Sequence, residues 1–80
     1  MQAVEVKHII ESQIEDATVI TAGEGCNFSV TVVSDAFSGL LPVKRQQRVY
    51  QCVNKQIADG SIHALTIKAY TPAQWQKIQD

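Results

Sequence analysis

Between residues 27 and 70 the spacing of apolar side chains changes from a period of two to that of a helix and back to two. No other feature restricts the fold as much. Residues 27–34 alternate, with Phe28, Val30 and Val32 on one face and Ser29, Thr31 and Val33 on the other, as in a strand. Across residues 43–59, Val49, Cys52, Val53 and Ile57 form one helical stripe. Pro42 fits the first turn of that helix, and Gly60 stands where a C-terminal cap would. Residues 61–70 predict a further strand, with His63, Leu65 and Ile67 on one face and Ala64, Thr66 and Lys68 on the other. A strand, a helix and a strand in succession make a crossover, expected to be right-handed with the strands parallel.

The flanking segments complete the order. Val6, Ile9, Ile10 and Ile14 sit at helical spacing over residues 4–14, with charged residues between them. Thr18, Val19, Ile20 and Thr21 favour a strand over residues 17–22, and Gly23-Glu24-Gly25 breaks it, so a hairpin leads into residue 27. Residues 35–42 read as a loop or short turn anchored by Phe37, Leu40 and Leu41. Thr71-Pro72-Ala73-Gln74 fits a capping box ahead of a short last helix carrying Trp75 and Ile78. The expected fold class is α+β, in the order α-β-β-α-β-α, with a three-stranded mixed sheet and helices on one face. KH-like domains of the second type share this order, but their nucleic-acid device is a G-x-x-G loop. No pair among Gly23, Gly25, Gly39 and Gly60 has that spacing.

Eighty residues predict a single domain, residues 1–80, too short to enclose a deep substrate pocket. Any chemistry belongs on a surface or is shared with a partner. No stretch is apolar enough to span a membrane, and the N-terminus lacks a signal pattern, so the expected compartment is the cytoplasm, with no membrane partner. The two cysteines, Cys26 and Cys52, are too few for a disulfide framework, and no CxxC spacing offers a self-contained zinc site. The net charge of −1 does not mark a general nucleic-acid binder. Even so, Lys44, Arg45, Arg48 and Lys55, four of the seven basic residues, fall in a stretch without an acid between Asp35 and Asp59.

Cys26 follows Gly25 in the hairpin loop, where a thiolate could ligate iron or be an incidental loop thiol. His63 follows a helix-to-strand turn; its imidazole could ligate iron or serve as a hydrogen-bonded histidine at a sheet edge. A parallel third strand starts beside the hairpin loop, so the topology permits the two to meet. Lys44, Arg48 and Lys55, separated by four and seven residues, project along one face of an ideal helix, opposite the apolar stripe. Such a row suits a phosphate backbone, an acidic protein surface or plain solvation. Cys52 fits a core thiol, His8 a solvated residue, and Tyr70 and Trp75 satellite-core residues. Ser34 and Asp35 with His63 do not make a triad, for want of an oxyanion device or pocket.

Three stretches together resemble the BolA family. They are Phe37-Ser38-Gly39 with the run from Val43 to Tyr50, the run from Ile57 to Leu65, and the run from Thr66 to Trp75. Gln46-Gln47 after the basic pair, and the run from Ile62 to Trp75, are most similar to the IbaG-like branch. The resemblance implies association with a monothiol glutaredoxin and a shared [2Fe-2S] cluster. His63 stands at the position of one ligand, and Cys26 is the candidate for a second, from the loop between the first two strands. The remaining ligands would come from the glutaredoxin cysteine and from glutathione. Roles in stress response, and DNA binding by regulatory members, belong to the same resemblance. The function expected is therefore a non-enzymatic glutaredoxin partner in iron–sulfur trafficking or sensing. The alternative is a small DNA-binding regulator using Lys44, Arg45, Arg48 and Lys55. A second copy of the chain and DNA are the other partners open to it.

Overall fold

The computed structural model describes residues 2–24 and 27–79, with side chains for 2–23 and 28–79. Its elements run α1 (Ala3–Gln13), β1 (Thr18–Glu24), β2 (Asn27–Val33), a 3-10 turn (Asp35–Phe37), α2 (Pro42–Ala58), β3 (Ala64–Tyr70) and α3 (Pro72–Gln79). The strands form one sheet in the order β1-β2-β3. β1 and β2 are antiparallel, with Thr18 opposite Val33 and Glu24 opposite Asn27. β2 and β3 are parallel, with Asn27 opposite Ala64 and Val33 opposite Tyr70.

Side-chain alternation gives this sheet two unlike faces. Inward, the registers stack Val19, Val32 and Ala69 in one row and Thr21, Val30 and Ile67 in the next. Phe28 and Leu65 continue them. Outward stand Ile20, Thr31 and Lys68, then Ala22, Ser29 and Thr66. Val6, Ile10 and Ile14 from α1 and its end, and Val49, Cys52 and Val53 from α2, close over the inner rows. Each fully buried apolar side chain stabilises the fold by about 1.5–3 kcal/mol. α3 rests against the end of β3, where the Tyr70 and Trp75 rings lie 5.6 Å apart.

The expected elements form, with shifted ends. α1 stops at Gln13, because Ile14 turns to an extended backbone while its side chain stays in the core. β3 begins at Ala64 rather than residue 61, because Ser61 and Ile62 are held by bonds to Asp59 and Gln56 instead of joining the ladder. The capping box is reciprocal. Gln74 N donates to Thr71 Oγ1 at 3.3 Å, and Thr71 N donates to Gln74 Oε1 at 3.1 Å. One feature has no counterpart in the periodicity: α2 kinks at Val53, whose φ of −117° and ψ of 15° leave the helical region. There is no proline or glycine there. Gln13 Nε2 instead reaches across from α1 and donates to the Cys52 carbonyl at 3.2 Å, just before the kink. Side-chain insertion of this kind is a recognised cause of helix kinks.

Ser34 joins three segments and is fully buried. Its Oγ donates to Glu15 O at 2.7 Å and accepts from Ala36 N at 3.1 Å, capping the 3-10 turn. Its own N–H donates to Tyr70 O at 3.0 Å. Replacing Ser34 by alanine leaves the Glu15 carbonyl and the Ala36 N–H without that partner. We expect a loss of about 1–3 kcal/mol, read as a lower urea midpoint at unchanged slope. Ser12→Ala, on an exposed part of α1, should cost no more than about 0.5 kcal/mol. Equal losses in the two variants would show that Ser34 does not hold these segments together.

Candidate functional site

The turn from α2 to β3 determines how His63 is displayed. Asp59 ends the helix, its N–H donating to Lys55 O at 3.0 Å. Gly60 then adopts a φ of +85°, a conformation that costs any residue with a Cβ. Asp59 Oδ1 accepts from Ser61 N at 2.8 Å, closing an Asx turn. Ile62 N donates to Gln56 O at 3.1 Å, and the Ile62 side chain is buried. With Ile62 locked inward, the next residue faces solvent: His63 is exposed. A Cβ on Gly60 would lie 3.9 Å from His63 Nε2, so the ring sits close to the turn. Among the described residues no group hydrogen-bonds this imidazole.

His63 directly precedes Ala64, the β3 residue opposite Asn27. Cys26 precedes Asn27 in the sequence but lies outside the described residues. Ser34 and Asp35 stand at the other end of the sheet, beside Tyr70. A seven-residue strand of about 20 Å separates them from His63, so these three residues do not gather. Among the described residues no three His, Cys, Asp or Glu side chains cluster so as to hold a metal ion.

The basic residues divide. Lys44 and Arg48 are exposed, and Arg48 Nη2 donates to Gln13 O at 3.3 Å. Lys55 is exposed too, but it lies beyond the Val53 kink, so ideal-helix spacing does not align it with the other two. Arg45 is half-buried and engaged within the chain. Its Nε donates to Leu40 O at 2.9 Å, and its Nη1 to Gln74 Oε1 at 2.7 Å and Ala69 O at 3.4 Å. Sequence spacing gives no sign of these long-range bonds. Cys52 is a core thiol that donates to Arg48 O at 3.4 Å. Burial pushes its pKa up, with the charge of Arg48 opposing.

Residues 2–74 match a family model described as BolA-like protein. The Acid stress protein IbaG of Escherichia coli K12 is 39% identical over 96% of this chain and 92% of its own length. The DNA-binding transcriptional regulator BolA of Vibrio cholerae is 40% identical over 91% of this chain and 65% of its own length. The solved structure of a bolA protein homologue from Coxiella burnetii superposes with a TM-score of 0.84 at 28% identity, covering 95% of this chain and 97% of that one.

Two expectations follow for the turn. Gly60→Ala should destabilise the protein by about 1–2 kcal/mol through backbone strain, since the added methyl makes only ordinary contact. An unchanged denaturation midpoint would contradict the left-handed turn. The Asp59 carboxyl lies below its ordinary value of 3.8, chiefly because of its hydrogen bonds with Ser61. Its ionised form therefore favours the fold. That contribution is complete above the ordinary value and fades as pH falls through the lower folded value. In an NMR titration the Ser61 amide should report this depressed midpoint, and a midpoint at or above 3.8 would contradict it.

Proposed function

This chain belongs to the BolA family, in its IbaG-like branch, and from that premise we propose that it is the partner of a monothiol glutaredoxin, lending His63 to a shared [2Fe-2S] cluster. The observation that carries this reading is the exposed imidazole of His63, without a hydrogen-bond partner among the described residues, at the start of β3. A neutral imidazole is a competent iron ligand, and the ring lies beside Gly60, which carries no side chain. A [2Fe-2S] cluster needs four protein or thiol ligands. From this chain would come His63 and Cys26, which precedes Asn27 in the sequence and lies outside the described residues; a glutaredoxin cysteine and glutathione would supply the others. When bound, the cluster would supply one-electron chemistry, at a potential raised by replacing thiolate with imidazole. The role is iron–sulfur trafficking or sensing, and the name of the Escherichia coli relative links it to acid stress.

The name of the Vibrio cholerae relative favours a second reading, binding of DNA. Lys44, Arg48 and Lys55 would be its phosphate contacts, with Arg45 bonded to Leu40, Ala69 and Gln74 within the chain.

Two experiments separate these readings. Reconstitution of iron and sulfide with a monothiol glutaredoxin, glutathione and this chain should give a visible spectrum distinct from that of the glutaredoxin dimer. His63→Ala should lose the distinctive spectrum, whereas Cys26→Ser should weaken the cluster less. An unchanged spectrum and cluster lifetime in His63→Ala would remove the histidine from the account. For DNA, three phosphate contacts give a slope near about −3 in log affinity against log salt. Arg48→Ala should lower that slope by about one for all sequences alike. Salt-insensitive binding would dismiss the basic helix.

A further inference from the structure

The geometry points to a docking site for an acidic, extended segment of a partner protein in the groove between the start of α2, the open edge of β3, and α3. The groove has a volume of about 490 Å3. It lies toward the opposite end of β3 from His63, so the inference does not rest on cluster ligation.

Three observations carry it. Among the described residues β3 pairs only with β2, so its other edge carries no strand. Backbone groups alternate between the two edges of a strand. Tyr70 O accepts from Ser34 on the β2 side, which leaves residues 65, 67 and 69 facing outward. Tyr50 Oη donates to Leu65 O at 3.3 Å, and Arg45 Nη1 to Ala69 O at 3.4 Å. Between them Ile67 has its N–H and C=O on the same edge, the donor–acceptor pair that an added strand uses.

Charge selects the occupant. Among the described residues lining the groove, Arg45, Lys68 and Lys77 are cationic and none is acidic. Arg45 is already held by Leu40 O, Ala69 O and Gln74 Oε1, and its Nη2 group lies outside those bonds. A guanidinium fixed in this way needs little further ordering to meet a carboxylate. Ile67, Ala69 and Ile78 add apolar lining for alternate side chains of an extended peptide. A nucleic-acid backbone would satisfy the cations, but it has no amide to pair with Ile67 and no use for the apolar lining.

The test uses the full chain, labelled with 15N, and a capped peptide of ten residues alternating glutamate and valine. The peptide should shift the Ile67 and Ala69 amide signals and slow hydrogen exchange at Ile67. The exposed double change Lys68→Glu with Lys77→Glu should weaken binding about tenfold. A glutamine-for-glutamate peptide that binds equally well would overturn the charge argument. Shifts absent from β3 would overturn the site. A short DNA duplex that displaces the peptide and shifts the same amides would reassign the groove to nucleic acid and overturn the proposal.

Discussion

Parallel strands cannot be joined by a tight turn, so β2 and β3 need a crossover long enough to travel back along the sheet. Here that crossover is α2, and its return delivers the α2–β3 turn to the end of the sheet where β2 begins. The pairing of Asn27 with Ala64 therefore decides which residues face a partner there. His63 owes its position to this register. The same register leaves β3 at the edge, with Tyr50 and Arg45 occupying two of its outward carbonyls.

α2 both covers the core and is fastened at each end. Arg45 ties its first turn to the preceding loop, β3 and α3. Beyond the Val53 kink, the Ile62 amide bonds to Gln56 O while the Ile62 side chain is buried. The kink is met by Gln13 from α1, whose carbonyl also accepts from Arg48. One glutamine thus donates to α2 through its side chain and accepts from it through its backbone. A small core leaves little surplus stability, so long-range polar contacts of this kind carry weight in an 80-residue chain.

Much of this was legible in the sequence because the signals are local. The alternation around Val30, the stripe from Val49 to Ile57 and the Thr71–Gln74 capping box each depend on residues close in the chain, and each formed as expected. What was not legible depends on distant partners. The Val53 kink involves a residue on α1, and the Arg45 bonds reach a residue on α3. The alternation at Ser61 and Ile62 predicts a strand start ahead of Ala64, while their amides bond back to Asp59 and Gln56. His63 could be singled out by the BolA resemblance, which puts it at the position of a cluster ligand. Its outward display follows from the burial of Ile62, which only the folded chain reveals.

The central claim is that His63 offers its imidazole to iron. Its most direct test is pulsed electron paramagnetic resonance on the reduced cluster of the reconstituted complex, with 15N-histidine incorporated into this chain alone. His8, the other histidine, is replaced by glutamine so that one labelled ring remains. The account predicts a 15N coupling of the size expected for a nitrogen bound directly to iron. A cluster that assembles with this chain yet shows no such coupling would contradict it.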